Sequence, residues 1–117
     1  MIARGARAEE LCAEFLQRAG LRILARNWRC RHGEIDLVAE DGETLVFAEV
    51  RLRSDPRFGS AAESITGAKR ARIVAASRLY LGLYLAGRRE SPCRFDVLLL
   101  DALDGLRIRW LRDAFHE

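Results

Sequence analysis

Two alternating apolar runs, residues 34–40 and 44–52, flank an Asp41-Gly42 pair, and this arrangement commits the middle of the chain to a β-hairpin. A two-residue Asp-Gly turn predicts pairing of Glu40 with Glu43, Val38 with Leu45 and Asp36 with Phe47. Side chains alternate with period two. Asp36, Glu49 and Arg51 are therefore expected on one face, with Ile35, Leu37, Val46, Ala48 and Val50 on the other. Asp36 and Glu49 become diagonal neighbours, roughly 7–8 Å apart at the backbone, a gap across which two carboxylates can converge on one divalent ion. A one-residue slip destroys the arrangement. The competing reading makes Glu34, Asp36, Glu49 and Arg51 ordinary cross-strand salt bridges on a solvated sheet face.

Around the hairpin the pattern predicts one helix before and a helix and two strands after. Residues 6–19 carry Ala8, Leu11, Cys12, Phe15, Leu16 and Ala19 at helical spacing, with Gly20 as the stop. Glu10, Glu14 and Arg18 make a solvated ladder, whereas Glu9 borders the apolar stripe and is placed to turn towards a sheet. Residues 21–29 predict a strand, and residues 53–59, with Pro56 and Gly59, a loop. A second helix over residues 61–85 has two candidate starts, a Ser60/Glu63 capping box or Thr66 capping a restart at Gly67. Ile65, Ala68, Ala76, Leu79 and Leu83 supply its core face. Residues 93–101 predict a buried strand and residues 106–111, after an Asp104-Gly105 turn, a last one. Asp96 opens the apolar part of the fourth strand. A buried carboxylate needs partners, so it is expected to accept from backbone donors or an arginine.

With 117 residues, 50% hydrophobic and 32% charged, the chain suits one soluble domain over residues 1–117. A net charge of +3 suits a polyanionic partner without demanding one. Cys12, Cys30 and Cys93 are odd in number and widely spaced, as expected of reduced, mostly buried thiols in a cytoplasmic protein and not of a disulfide framework or zinc site. His32 and His116 lack zinc-ligand spacing. No run approaches the ~18 apolar residues of a membrane span, and no signal-peptide core is seen. Of the 20 basic residues 19 are arginine, and Lys69 is the sole lysine. Either G+C-rich codons left one by chance, or this position needs a compact ammonium that a guanidinium cannot replace. If the helix starts after Thr66, Lys69 stands in its first turn, where the macrodipole disfavours cations.

The segments Arg4-Gly5-Ala6-Arg7-Ala8-Glu9, Arg26-Asn27, Gly33-Glu34-Ile35-Asp36-Leu37, Val46-Phe47-Ala48-Glu49-Val50-Arg51, Phe58-Gly59, Lys69, Arg94-Phe95-Asp96-Val97 and Trp110-Leu111-Arg112-Asp113-Ala114-Phe115 occur in that order. Together they resemble the YraN family of small bacterial proteins across nearly the whole chain. That family is similar in pattern to restriction-endonuclease-like nucleases and Holliday-junction resolvases. The resemblance implies an α/β fold with a restriction-endonuclease-like core, in which a mixed central sheet, a three-strand antiparallel meander plus further strands, is flanked by two main helices. It further implies a metal-dependent endonuclease acting on structured or branched DNA with Mg²⁺ or Mn²⁺. Asp36 and Glu49 match the metal-binding acids, Val50 the residue whose carbonyl joins the metal shell, and Glu9 the first-helix acid of resolvase-like members. Arg51 falls where the superfamily has lysine. A guanidinium clamps phosphate but stays protonated, so it cannot serve as a general base. Three outcomes stay open: activation by the metal alone, Lys69 reaching in as the missing amine, or a degenerate site that only binds.

Arg26, Arg29, Arg31, Arg53, Arg57, Arg70 and Arg72, with Lys69 and Arg51, are the expected phosphate contacts. Trp28 reads as a packing residue or as a stacking platform, with Phe58 as another candidate wedge. The alternative to an enzyme is a nucleic-acid-binding module or a scaffold of a DNA-processing assembly. Enzymes with this core are often two-fold dimers, which a small one-site subunit suggests here.

Overall fold

The computed structural model describes residues 4–52, 65–84, 92–100 and 107–115. Its elements are α1 (Arg4–Arg18), β1 (Arg22–Cys30), β2 (Gly33–Asp41), β3 (Thr44–Leu52), α2 (Gly67–Tyr84), β4 (Cys93–Leu100) and β5 (Ile108–Phe115). The strands form one sheet in sequence order, with β3 and β4 parallel and the other neighbours antiparallel. This is the expected α/β architecture with its three-strand meander. A parallel step needs a crossover, and α2 supplies it.

The helices cover opposite faces of the sheet. Cys12, Ala13 and Leu16 of α1 pack with Leu37, Ala39, Val46, Ala48 and Leu98, whereas Ile73, Ala76 and Tyr80 of α2 pack with Val38, Leu45, Phe47, Val97 and Leu99. The apolar run at the centre of β4 follows, because alternate residues feed alternate cores. The face that the competing salt-bridge reading left solvated is thereby roofed by a helix. Among the described residues, no helix is long and apolar enough to cross a membrane.

Local chemistry explains most boundaries. At the end of α1, the Leu21 N–H donates to Leu16 O (3.0 Å) and the Gly20 N–H to Gln17 O (3.0 Å), and Gly20 takes the positive φ of 98° that this closure requires. Thr66 caps α2: its Oγ1 accepts from the Lys69 N–H at 3.2 Å, and its carbonyl accepts from the Arg70 N–H at 2.9 Å. The helix thus begins at Gly67. Ser60 and Glu63 lie outside the described residues, as do Arg53, Arg57, Phe58, the Asp104-Gly105 pair and His116.

Four sequence expectations need correction. The hairpin pairs Asp41 with Thr44, Glu40 with Leu45 and Val38 with Phe47, so its loop is Gly42-Glu43 and not Asp41-Gly42. Gly42 has φ 60° while Glu43 stays on the negative side, the pattern of a II′ turn, which wants glycine first. On α2 the buried residues are Ile73, Ala76, Ser77 and Tyr80, while Ala68 is exposed and Leu83 is 62% exposed. Only Ile65 and Ala76 of the expected face are buried, because the first turns of α2 carry Lys69 and Arg72 over a cleft. Strand β5 runs on to Phe115. Cys12 alone of the three thiols is buried; Cys30 is half-buried and Cys93 exposed.

Asp96 is fully buried and has the partners foreseen for it. Its carboxylate accepts from Arg94 Nε (3.0 and 3.1 Å), Trp110 Nε1 (2.8 Å) and the Asp113 N–H (2.9 Å). The last bond fixes an irregularity in β5, where Asp113 has φ 53° and the ladder passes from Val97↔Leu111 to Phe95↔Phe115. Arg94 also reaches Asp41 at 3.0 Å, tying the β2–β3 hairpin to β4.

Candidate metal centre and cationic cleft

Strand β2 breaks its own alternation at Asp36. Leu37 packs towards α1, yet Ile35, two residues away, packs in the α2 core. The β2–β3 ladder begins at Leu37↔Ala48, and where it ends the Asp36 Oδ2 accepts from the Val50 N–H at 2.9 Å. A side chain here replaces a backbone partner. Extending the ladder by one step sets Asp36 level with Glu49, so the two acids are opposite and not diagonal, the consequence of a register two residues away from the predicted one. A shift of two preserves the faces of β3.

On β1 the ladder passes from Arg26↔Leu37 to Trp28↔Ile35, with Asn27 between them at φ 51°. Asparagine tolerates this left-handed conformation. Its side-chain amide stands beside Glu9 and lowers that carboxyl, and Glu9, which projects from α1, also lies close to Asp36. Carboxylate oxygens of Glu9, Glu34 and Asp36 all lie within 4.8 Å of one another. Glu49 stands beside Asp36, whose charge it feels, and its Oε1 meets Lys69 Nζ at 2.6 Å. Acids from α1, β2 and β3 therefore meet at the end of the β2–β3 ladder.

Burial dominates the electrostatics. It pushes the Asp36 carboxyl up to about 6, opposed by the Val50 N–H and reinforced by Glu9. Glu49 rises to about 7, through burial and then the neighbouring Asp36 charge, which outweigh the lowering by Lys69. Glu9 is also raised, chiefly by burial. The Cys12 thiol, packed beneath these acids, is pushed up to about 12 by burial and by Asp36 and Glu9, which leaves it unreactive.

Glu34, Asp36 and Glu49 open into a cleft of about 480 Å³, whose wall also holds Arg31, His32, Lys69 and Arg72. The β1–β2 turn carries Arg31 and His32 to it, and the Arg31 Nε donates to His32 Nε2 at 3.3 Å. Arg51 is half-buried beside Leu99 on β4 and is not among the residues that line the cleft; Lys69, from the facing helix, is. Arg70 turns away and lies 5.7 Å over the Phe115 ring. Arg26 and Arg29 are exposed along β1, the latter 3.8 Å from Glu34. Trp28 packs edge-on against Tyr80 and Tyr84, at 5.3 and 6.1 Å, so it serves packing.

Sequence reasoning underrated Glu34 and missed Asn27 and His32 as site residues. Glu34 had a signal, since it lies two residues before Asp36. Asn27 had only its place in the Arg26-Asn27 segment of the family resemblance and asparagine's tolerance of positive φ.

Residues 8–100 match the model of uncharacterised protein family UPF0102. The chain is similar to UPF0102 proteins of Nitrosococcus oceani (51% identical, over 97% of this chain and 91% of that protein) and Nitrosomonas europaea (47%, over 97% and 94%). One from Pseudomonas fluorescens is 46% identical over 97% of this chain and 93% of its own length. The matched region holds every acid of the cluster as well as Lys69 and Arg72, and the chain belongs to UPF0102, the YraN family.

Proposed function

We propose that this protein is a metal-dependent phosphodiesterase that hydrolyses the backbone of structured or branched DNA, with Mg²⁺ or Mn²⁺ held by Asp36 and Glu49 and helped by Glu9 and Glu34. The observation that carries this reading is the meeting of four carboxylates, from three elements, beside a cleft whose facing helix presents Lys69 and Arg72. The donors fit the ion. They are hard oxygens without imidazole or thiolate in the cluster, a set that suits Mg²⁺ or Mn²⁺ better than zinc. Crowded acids that hold their protons above the usual range also await a positive charge.

When bound, a divalent ion supplies Lewis acidity, neutralising phosphate charge and activating a water. The Val50 N–H pins one Asp36 oxygen, which leaves the other to ligate, and the Val50 carbonyl is a further donor in this proposal. Lys69 and Arg72 offset the charge that grows on the phosphate, the role the family resemblance gave to Arg51. Arg31 and exposed Arg26 and Arg29 extend the positive surface along β1, where phosphates position the strand without base readout.

Calorimetric titration with Mn²⁺ tests the metal: wild type binds at millimolar concentration or tighter, and Asp36→Ala does not. Nicking of branched DNA by wild type and not by Glu49→Ala tests the chemistry; equal nicking by both would expose a contaminating nuclease. Salt-sensitive DNA binding that survives both substitutions, without Mn²⁺ uptake by the wild type, would make the protein a binding module.

A further inference from the structure

The single lysine sits where its own helix disfavours it. Lys69 occupies the first turn of α2, under the Thr66 cap, and that turn holds no acidic residue to offset the dipole. What holds the ammonium there is Glu49, at 2.6 Å, with the carboxylate side chain 5% exposed and the lysine 34%. Glu49 is also one of the acids to which the proposed function assigns the divalent ion. The same oxygens cannot serve both cations fully.

Resting on that functional reading, we propose that Lys69 is a resident counter-ion that yields Glu49 to the incoming divalent ion and swings to the cleft wall, where its ammonium joins Arg72 on the substrate phosphate. The site then has two charge arrangements. Without the ion, the ammonium keeps a buried carboxylate from being unpaired, an otherwise costly state. With it, the freed ammonium lies on the helix that faces the acids, beside Arg72. This explains why a lysine stands here in an arginine-rich chain. Lysine presents a compact charge on a flexible stem and can let go, whereas a guanidinium would grip the carboxylate with two parallel hydrogen bonds. The partial exposure of Lys69 gives the side chain a path outwards.

A sole lysine gives a single reporter. In protein grown with ¹³C-lysine, the Cε methylene is expected to be ordered in the ion-free state and to lose that order, with a shifted resonance, at saturating Mg²⁺. Glu49→Gln should show the mobile state without any ion. Lys69→Arg keeps the charge but should weaken Mg²⁺ binding by about tenfold, measured by calorimetry. If Mg²⁺ binds and the Cε methylene stays ordered, or if Lys69→Arg binds as tightly as wild type, the displacement idea is wrong while the metal centre stands. If no Mg²⁺ or Mn²⁺ binds at all, both fall together. The resonance is read on the unmodified chain, so the outcome does not depend on a variant folding.

Discussion

Asp36 meets Glu9 of α1 and Glu49 of β3, which pairs with Lys69 of α2, where the alternation of β2 breaks. Its acidity and that of Glu49 set a pH signature. Their folded values of about 6 and about 7 lie above the ordinary 3.8 and 4.5, so between those limits the folded state binds more protons than the unfolded one. Stability of the ion-free protein therefore contains a contribution that is full below about pH 4 and is lost as pH rises through 6 and 7. Thermal melts in chelator should show this decline relative to Asp36→Asn, in which it is blunted, and Mn²⁺ should reverse it above pH 7. Asp96 behaves differently. Removing its carboxylate strands Trp110 Nε1 and the Asp113 N–H and leaves Arg94 with Asp41 alone, so Asp96→Ala should cost about 3–5 kcal/mol in urea unfolding. Mn²⁺ titration of the folded variant should be unchanged, since none of these partners lines the cleft.

Among the elements, α2 couples packing to chemistry: its central turns cover the sheet while its first turn carries Lys69 and Arg72. Thr66→Ala removes the oxygen that accepts the Lys69 N–H and should lower stability by about 1 kcal/mol. Because the same bond orders the turn that holds Lys69 on Glu49, the variant should also loosen the lysine in the ion-free protein, visible as a more mobile Cε resonance. Periodicity revealed α1, β2, β3 and the crossover helix because each buries one or two faces, and burial is written in spacing. The hairpin register was misread because a glycine at the first loop position serves a II′ turn as well as Asp-Gly serves a I′ turn. The α2 face was misread for another reason. Apolar spacing cannot distinguish the turns that lie over the sheet from those that overhang a cleft or end at the surface, as Leu83 does.

At the scale of the whole molecule, the acids are gathered at one end of the β2–β3 ladder and the cations rise from the β1–β2 turn and the start of α2. Phosphate contacts of this kind release counter-ions, so DNA affinity should fall linearly with log salt concentration. Arg31→Ala and Arg72→Ala should each reduce the slope by about 1, whereas Arg70→Ala should leave it unchanged, since Arg70 packs on Phe115. Fluorescence anisotropy across a salt series measures both. The order of elements, the pairing of β2 with β3, and the identity of Glu9, Asp36, Glu49 and Lys69 as residues to watch were legible in the sequence alone, because alternation, turn chemistry and residue type are local properties. That Glu34 belongs with them, that Asn27 stands beside Glu9, and that Lys69 and not Arg51 lines the cleft were set by packing in three dimensions. Those outcomes depend on how α1 and α2 settle on opposite faces of a twisted sheet and on where two strands part. Distances between residues far apart in the chain follow from packing, which no local pattern encodes.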